Sequence, residues 1–300
     1  MPEPIATVLQ TGPATSYQDS GRYGWLQYGL AQCGALDTHA SAAANTLLHN
    51  LPSDPVIEIL LGGFRIKMLQ PSWIAHVGGC HCPQLPSWTA RYVSAGEILD
   101  FQPSKAGVCS YLAAPGGWQA RTLFGSSAYH SRSDIGQAIV TGAPLAPTLN
   151  PPAPTSAKNR STPPQDQREY SRPPSLRLYS GPHSHLFSKA QHNHLLNNIW
   201  KISARSDRSG YRLTNDAPEC LQHHISIHST PTILGSIQIP PSGEAIVTLN
   251  DGPTVGGYPI IALVHPEDLS WLVQQHAHSP ITFTHLDHKA ETTNPAQATL

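Results

Sequence analysis

Val56-Ile57-Glu58-Ile59-Leu60-Leu61-Gly62-Gly63-Phe64-Arg65-Ile66-Lys67-Met68 is the stretch that decides the fold class. Two short runs, Val56 to Leu60 and Phe64 to Met68, flank a Gly-Gly pair, which is how strands are punctuated by turns. Thr7 to Gln10, Trp73 to Val77 and Tyr111 to Ala114 read the same way, each short and bounded by Gly or Pro. Further along, Leu176 to Tyr179, Ile199 to Ser203, Ile225 to His228, Ala245 to Leu249, Ile260 to Val264 and Ile281 to His285 repeat the style, the pattern of a barrel or sandwich. Helical material is scarce. Thr38 to His49, opened by Asp37 as N-cap, is the best candidate, followed by His183 to Asn197 and by Pro266 to His276 with its acidic start. The expectation is a mostly β protein with a few short helices.

A chain of 300 residues exceeds the usual single-domain size, so two lobes are expected. The clearest boundary is 144–175, where Pro, Ser, Thr, Asn, Gln and Ala dominate and Pro-Pro pairs begin at Pro151, Pro163 and Pro173. Such a segment lacks the apolar residues that offset ordering entropy, so it reads as a disordered, flexible linker between lobes at 1–143 and 176–287, with a disordered tail over 288–300. The lobes echo one another. Val8-Leu9-Gln10-Thr11-Gly12-Pro13 resembles Arg177-Leu178-Tyr179-Ser180-Gly181-Pro182, which makes a duplicated architecture plausible.

Charged residues are 12% of the chain and the net charge is -1. That is roughly half the ~25% charged content of ordinary soluble domains, and charge-poor surfaces favour association with a partner. No basic cluster is present to release counterions from nucleic acid. The five cysteines are too few and scattered for a disulfide framework, which fits reduced thiols in a cytoplasm. The start has no signal-peptide pattern, and the longest apolar runs fall far short of the ~20 residues of a membrane helix. A soluble, cytoplasmic protein is expected.

Self-contained active-site motifs are missing: there is no Gly-x-x-x-x-Gly-Lys-Ser/Thr, Gly-x-Gly-x-x-Gly, His-Glu-x-x-His or Gly-x-Ser-x-Gly. The 17 histidines and the Cys80-His81-Cys82 run supply at most half of a knuckle-type site, so no metal is expected.

Two constellations carry chemistry. In the first lobe Gln18, Asp19 and Arg22 lead through glycines to Cys33-Gly34-Ala35-Leu36-Asp37. They form either a polar pocket for an amide or carboxylate, or a structural Asp-Arg pair that pins a loop. In the second lobe Arg208 and Arg212 are candidates for bidentate binding of a carboxylate or phosphate. Gln238 can pair with an amide, and Asp251-Gly-Pro-Thr-Val-Gly256-Gly257-Tyr258-Pro259 supplies a glycine-rich backbone able to line an anion site.

These strings, in this order, resemble the family of the C subunit of bacterial ATP-dependent 5-oxoprolinase, also known as allophanate hydrolase subunit 2 or KipA-like proteins. The most specific pieces are Gln18-Asp-Ser-Gly-Arg22, Gly34-Ala-Leu-Asp37, Asp207-Arg-Ser-Gly-Tyr-Arg-Leu213, Gly235 to Pro241 and Gly256-Gly-Tyr-Pro259. The resemblance implies a cyclophilin-like β-barrel in each lobe and partners resembling the A-type and B-type components of that enzyme. It also implies a complex that opens the lactam of 5-oxoproline to glutamate with ATP hydrolysis, ATP and Mg2+ being shared with the partner proteins. Arg208, Arg212, Gln238, Asp251, Gly256, Gly257 and Tyr258, with Gln18, Asp19, Arg22 and Asp37, are the candidate substrate- or phosphate-binding residues.

Two alternatives belong to other classes: a carboxyltransferase module of a biotin-dependent urea or amide carboxylase, and a non-catalytic regulatory partner of a B-type (KipI-like) protein. Biotin enters only with the first of these. The sequence departs from the resemblance after Leu123, where relatives read Gly-Ser-Arg-Ser-Thr and this chain reads Gly125-Ser126-Ser127-Ala128-Tyr129, without the arginine. The glycine expected after Arg-Leu is also absent, Thr214-Asn215 standing there.

Overall fold

The computed structural model describes residues 3–149 and 158–286. The chain divides into two compact units: Met1–Arg172 with Asn250–Thr254 and Val273–His276, and Pro173–Leu249 with Val255–Leu272 and Ala277–Leu300. The described residues are mostly β, with three short α-helices.

The first unit contains β1 (Ala6–Gln10), β2 (Ala14–Gln18), β3 (Val56–Leu60), β4 (Phe64–Met68), β5 (Ser72–Gly78), β6 (Thr89–Val93), β7 (Ile98–Phe101), β8 (Cys109–Ala113), β9 (Pro144–Leu145) and β10 (Arg160–Ser161). They form two sheets, β7-β4-β1-β9 and β10-β6-β5-β8-β3-β2. Along β4 the apolar residues Phe64, Ile66 and Met68 are fully buried while Arg65 and Lys67 are not, the period of two that a strand with one core face requires. These three join Ile57 and Ile59 of β3 and Trp118 in one core cluster. Each such side chain contributes roughly 1.5–3 kcal/mol of burial.

Strand β3 is buried on its other face too, where Val56 and Glu58 lie. Helix α1 (Thr38–Leu47) packs on the neighbouring β5 and β8. Asp37 caps it as expected, its Oδ1 accepting from Ala40 N at 3.0 Å.

The second unit contains β11 (Leu176–Ser180), β12 (Trp200–Ile202), β13 (Gly210–Thr214), β14 (Thr230–Pro231), β15 (Ser236–Gln238), β16 (Ala245–Thr248), β17 (Val255–Gly256), β18 (Ile260–Val264), β19 (Pro280–Ile281) and β20 (Phe283–His285), with α2 (Lys189–Asn197) and α3 (Pro266–Leu272). Eight of these strands run in the order β19-β12-β13-β16-β15-β18-β11-β20. The two ends of that sheet, β19 and β20, are separated in sequence by Thr282 alone. The sheet therefore curls almost into a closed barrel, which removes most of its edge. Strands β14 and β17 pair separately as a two-stranded ribbon.

Three expectations are corrected. The segment 144–175 is not uniformly a flexible linker: Leu145 pairs with Ala6, Arg160 with Ala90, and Tyr170 is buried beside Trp88. Strand pairing and one aromatic stack supply the ordering energy that composition alone conceals. Residues 150–157, and the tail from 287, lie outside the described residues. Ile225 to His228 forms no strand, and the Ile225 N–H donates to His223 Nδ1 rather than to a ladder. The third helix stops at Leu272, and Val273–His276 belongs to the first unit. Among the described residues no helix is long and apolar enough to cross a membrane.

Candidate functional site

Four stretches of the first unit converge: 18–22, 32–37, 123–130 and 250–251. The first two are stitched by backbone bonds, Arg22 N to Gln32 O at 2.7 Å and Ala35 N to Asp19 O at 3.0 Å. Gly34 sits between them at φ 90°, and a Cβ there would lie 3.0 Å from Gly21 N, so only glycine fits without a shift.

Gln18, Asp19 and Arg22 each reach the third stretch. Gln18 Nε2 donates to Tyr129 O at 3.0 Å while its Oε1 accepts from Gly34 N. Asp19 Oδ1 accepts from Gly21 N and Ser126 Oγ, and its Oδ2 accepts from Ser127 N at 2.6 Å. Arg22, 1% exposed, donates from Nε to Leu123 O and from Nη2 to Ala128 O. The trio therefore anchors the 123–130 loop. Of the two readings offered by the sequence, the loop-pinning one describes this geometry, though Asp19 and Arg22 grip the loop separately instead of pairing. Ser127 stands in this loop, and its hydroxyl meets Thr122 Oγ1 at 3.1 Å. A cleft of about 790 Å³ borders this loop, lined by Thr122, Ser127, Trp118, Gln119 and Gln137 among others.

The same framework carries a group that sequence reading missed. Cys33, His130 and Asp251 are all buried, and one ligand-type atom of each lies within 4.8 Å of the other two. Cys33 adopts φ 58°, a left-handed conformation that costs a non-glycine residue about 1–2 kcal/mol. It is held there by Cys33 N donating to Asn250 O and by Asn250 Nδ2 donating to Cys33 O, both near 3 Å. His130 is fixed by reciprocal backbone bonds with Ile135. No spacing signal links positions 33, 130 and 251, so pattern reading could not find them. The Cys80-His81-Cys82 run, by contrast, alternates: both thiols enter the apolar core and His81 is exposed. Burial pushes both thiols upward in pKa.

Asp37 belongs to a separate, fully buried network. Its backbone N–H donates to Tyr111 Oη at 2.7 Å, Tyr111 donates to Glu58 Oε2 at 2.8 Å, and Asp37 Oδ2 accepts from Gln274 Nε2 at 2.8 Å. Burial, followed by the neighbouring Cys109 and Glu58, drives the Tyr111 hydroxyl well above its ordinary range. With no exposed member, this network is architecture.

In the second unit Arg212 and Gln238 both pair across the sheet with Ile246, which puts them on one face of the barrel. Gln238 is 6% exposed, donates to Thr248 Oγ1 at 2.9 Å and lies directly beneath Gly256, where a Cβ would come 3.5 Å from its Oε1. Arg212 Nη1 is bound to Glu244 Oε2 at 2.7 Å. Arg208 occupies the turn between Asp207 and Gly210, while Gly257 and Tyr258 are exposed. Arg212, Gln238 and Gly256 are thus brought onto one barrel face, while Asp251 belongs to the first unit.

A family described as the carboxyltransferase domain, subdomain A and B, matches residues 28–285. The C subunits of 5-oxoprolinase from Haemophilus influenzae and Escherichia coli are 30% and 32% identical to this chain, each over 92% of it and 89% of their own length. This chain belongs to the family of 5-oxoprolinase C subunits, which are carboxyltransferase domains. The resemblance read from Gln18 to Arg22, Gly34 to Asp37 and Asp207 to Leu213 holds along almost the whole chain. The carboxyltransferase domain also recurs in larger proteins. The crystal structure of TTHA0988 superposes with a TM-score of 0.83 at 30% identity over 95% of this chain, which spans 57% of that protein. The urea amidolyase of K. lactis gives 0.80 at 25% identity over 96% of this chain and 19% of that one. The urea amidolyase of Saccharomyces cerevisiae is 26% identical over 91% of this chain and 16% of its own length.

Proposed function

We propose that this chain is one component of an ATP-dependent 5-oxoprolinase, a complex that opens the lactam of 5-oxoproline to L-glutamate. The observation that carries the reading is coverage: the chain accounts for 89% of two proteins named as C subunits, against 16% of a urea amidolyase. A protein named as one lettered component implies companions, here of the A and B types. A lactam is a poor electrophile, and phosphorylation of its oxygen makes it open to attack by water, with negative charge that donors must stabilise.

Two of the three arginines nominated for phosphate, Arg22 and Arg212, are already engaged within the chain. Arg22 is buried against carbonyl oxygens and Arg212 is bound to Glu244. Nucleotide and Mg2+ are accordingly assigned to the partner proteins, and no phosphoryl step is routed through this chain. Gln238, oriented by Thr248 under the Gly256 backbone, is its best-placed group for recognising a substrate amide.

Co-purification with A-type and B-type partners, followed by assay of ATP-dependent glutamate release from 5-oxoproline, tests the reading. Release that requires all three proteins supports it, and release unaffected by omitting this one ends it. The second reading, a carboxyltransferase acting on urea or a similar amide, is favoured by the superposition on a urea amidolyase over 96% of this chain. The chain has no Ala/Val-Met-Lys-Met attachment site, so biotin would arrive on a partner. Carboxylation of urea by the reconstituted mixture, with no glutamate release, selects it. A stable complex with the B-type partner and no turnover selects the regulatory role.

A further inference from the structure

We propose that Cys33, His130 and Asp251 form a binding site for a zinc-class divalent cation. The site rests on this unit's own geometry and is independent of the lactam reading. A thiol, an imidazole and a carboxylate offer atoms that all lie within 4.8 Å of one another, and each residue is at least nine-tenths buried. Around a tetrahedral ion with bonds of about 2.0–2.3 Å, such atoms sit about 3.5 Å apart. Side-chain adjustments of about an ångström therefore complete the shell. His130 adds a second, independent observation: its Nε2 is buried and has no hydrogen-bond partner. A buried imidazole nitrogen left in that state costs free energy that a Lewis acid removes.

The donor set selects the ion. One sulfur and one nitrogen disfavour Mg2+ and Ca2+, which want oxygen shells, and suit Zn2+ or Co2+. Thiolate and carboxylate together balance the charge of a divalent ion. Binding releases the Cys33 proton to solvent, and the 3.6 Å contact from its Sγ to Ala31 O is exchanged for the metal–sulfur bond. Three protein ligands leave a fourth position for water or a carbonyl oxygen, the arrangement of reactive rather than purely structural zinc sites.

The supporting frame is already in place. Asn250, the residue preceding Asp251, locks Cys33 in place. Gln18, Asp19 and Arg22 fasten the loop that ends at His130. Ligand carriers fixed by bonds that do not involve the metal make a preorganised site.

The test uses the full chain stripped with a chelator and titrated with Co2+, then back-titrated with Zn2+. One equivalent should produce a sulfur-to-cobalt charge-transfer band in the near ultraviolet and visible bands of tetrahedral strength, displaced by Zn2+. Cys33→Ser should abolish the near-ultraviolet band. His130→Gln and Asp251→Asn should each weaken binding by more than about 100-fold, a ligand being worth more than the outer partners whose loss costs 10–100-fold. Absence of the sulfur band in the unmodified chain, its persistence in Cys33→Ser, or unchanged affinity in the other two variants overturns the proposal. Should a variant not fold, the unmodified chain still decides: Zn2+ must slow alkylation of Cys33 as read by mass spectrometry, and an unchanged rate overturns the proposal.

Discussion

Gln274 Nε2 donates to Asp37 Oδ2 at 2.8 Å across 237 positions of sequence, and the same amide brackets the Cys109 backbone, donating to its carbonyl and accepting from its N–H, both at 3.0 Å. One 1% exposed side chain therefore satisfies three buried polar groups, among them the carboxylate that caps α1. Gln274→Ala should destabilise the protein by about 3 kcal/mol, since each orphaned buried group costs about 1–3 kcal/mol and partial relaxation offsets some of the sum. Gln274→Glu should be worse than Ala, because it places a second carboxylate against Asp37. Urea unfolding of the three proteins checks the order.

Arg177 and Asp268 are the counterpart in the second unit. Arg177 Nη2 meets Asp268 Oδ1 at 2.8 Å, Nε meets Oδ2 at 3.0 Å, and the Arg177 N–H donates to Oδ2 at 2.7 Å, with Asp268 4% exposed. These bonds hold the Arg177 guanidinium in its charged form, raising its pKa. Arg177→Met should cost about 3 kcal/mol by leaving a buried carboxylate without its cation. Asp268→Asn should cost less, since the amide oxygen still accepts from the backbone. Denaturant midpoints distinguish the two.

These two residues also show what a sequence can and cannot convey. The acidic start of α3 was legible as a helix signal, and Asp37 as an N-cap, because both are local effects. That Asp268 is a buried ion-pair partner of a strand residue was not legible, for it depends on contacts made across 91 positions. Short Gly-bounded runs revealed the strands, and 144–175 misled because its composition hides the pairing of Arg160 with Ala90. Among site residues, the importance of Gln18, Asp19 and Arg22 was visible as density of polar groups. The loop they serve, a hundred residues away, was not. The Cys33, His130 and Asp251 grouping was equally invisible, because it rests on non-local contacts and no short spacing links the three positions.

The anchoring of residues 123–130 makes its own expectation. Asp19→Ala removes acceptors from Gly21 N, Ser126 Oγ and Ser127 N at once. Loss of such charge-assisted bonds should cost about 2 kcal/mol. Because the damage is local, amide hydrogen exchange should accelerate at Ser126 to His130 more than in β3 or β4. Uniform acceleration across the first unit would show that Asp19 supports the whole core and not this loop.

The burial of His76 makes folding stability depend on pH. It is fully buried in β5, its Nδ1 2.8 Å from Leu85 O and its Nε2 3.1 Å from Ser110 Oγ, and burial lowers its pKa to about 4. An unfolded chain returns it to about 6.5. Well above pH 6.5 the ring is neutral in both states and its contribution is complete. As pH falls from 6.5 toward 4 the unfolded chain takes up the proton first, so folding stability declines through that window and levels below it, by on the order of 3 kcal/mol in all. His76→Gln removes the titrating ring while keeping an amide able to bond Leu85 O or Ser110. It should start less stable at pH 7.5, yet lose less on acidification, so the two curves converge near pH 4. Urea midpoints measured from pH 7.5 to 4 check this, and parallel curves would assign the acid sensitivity to other groups.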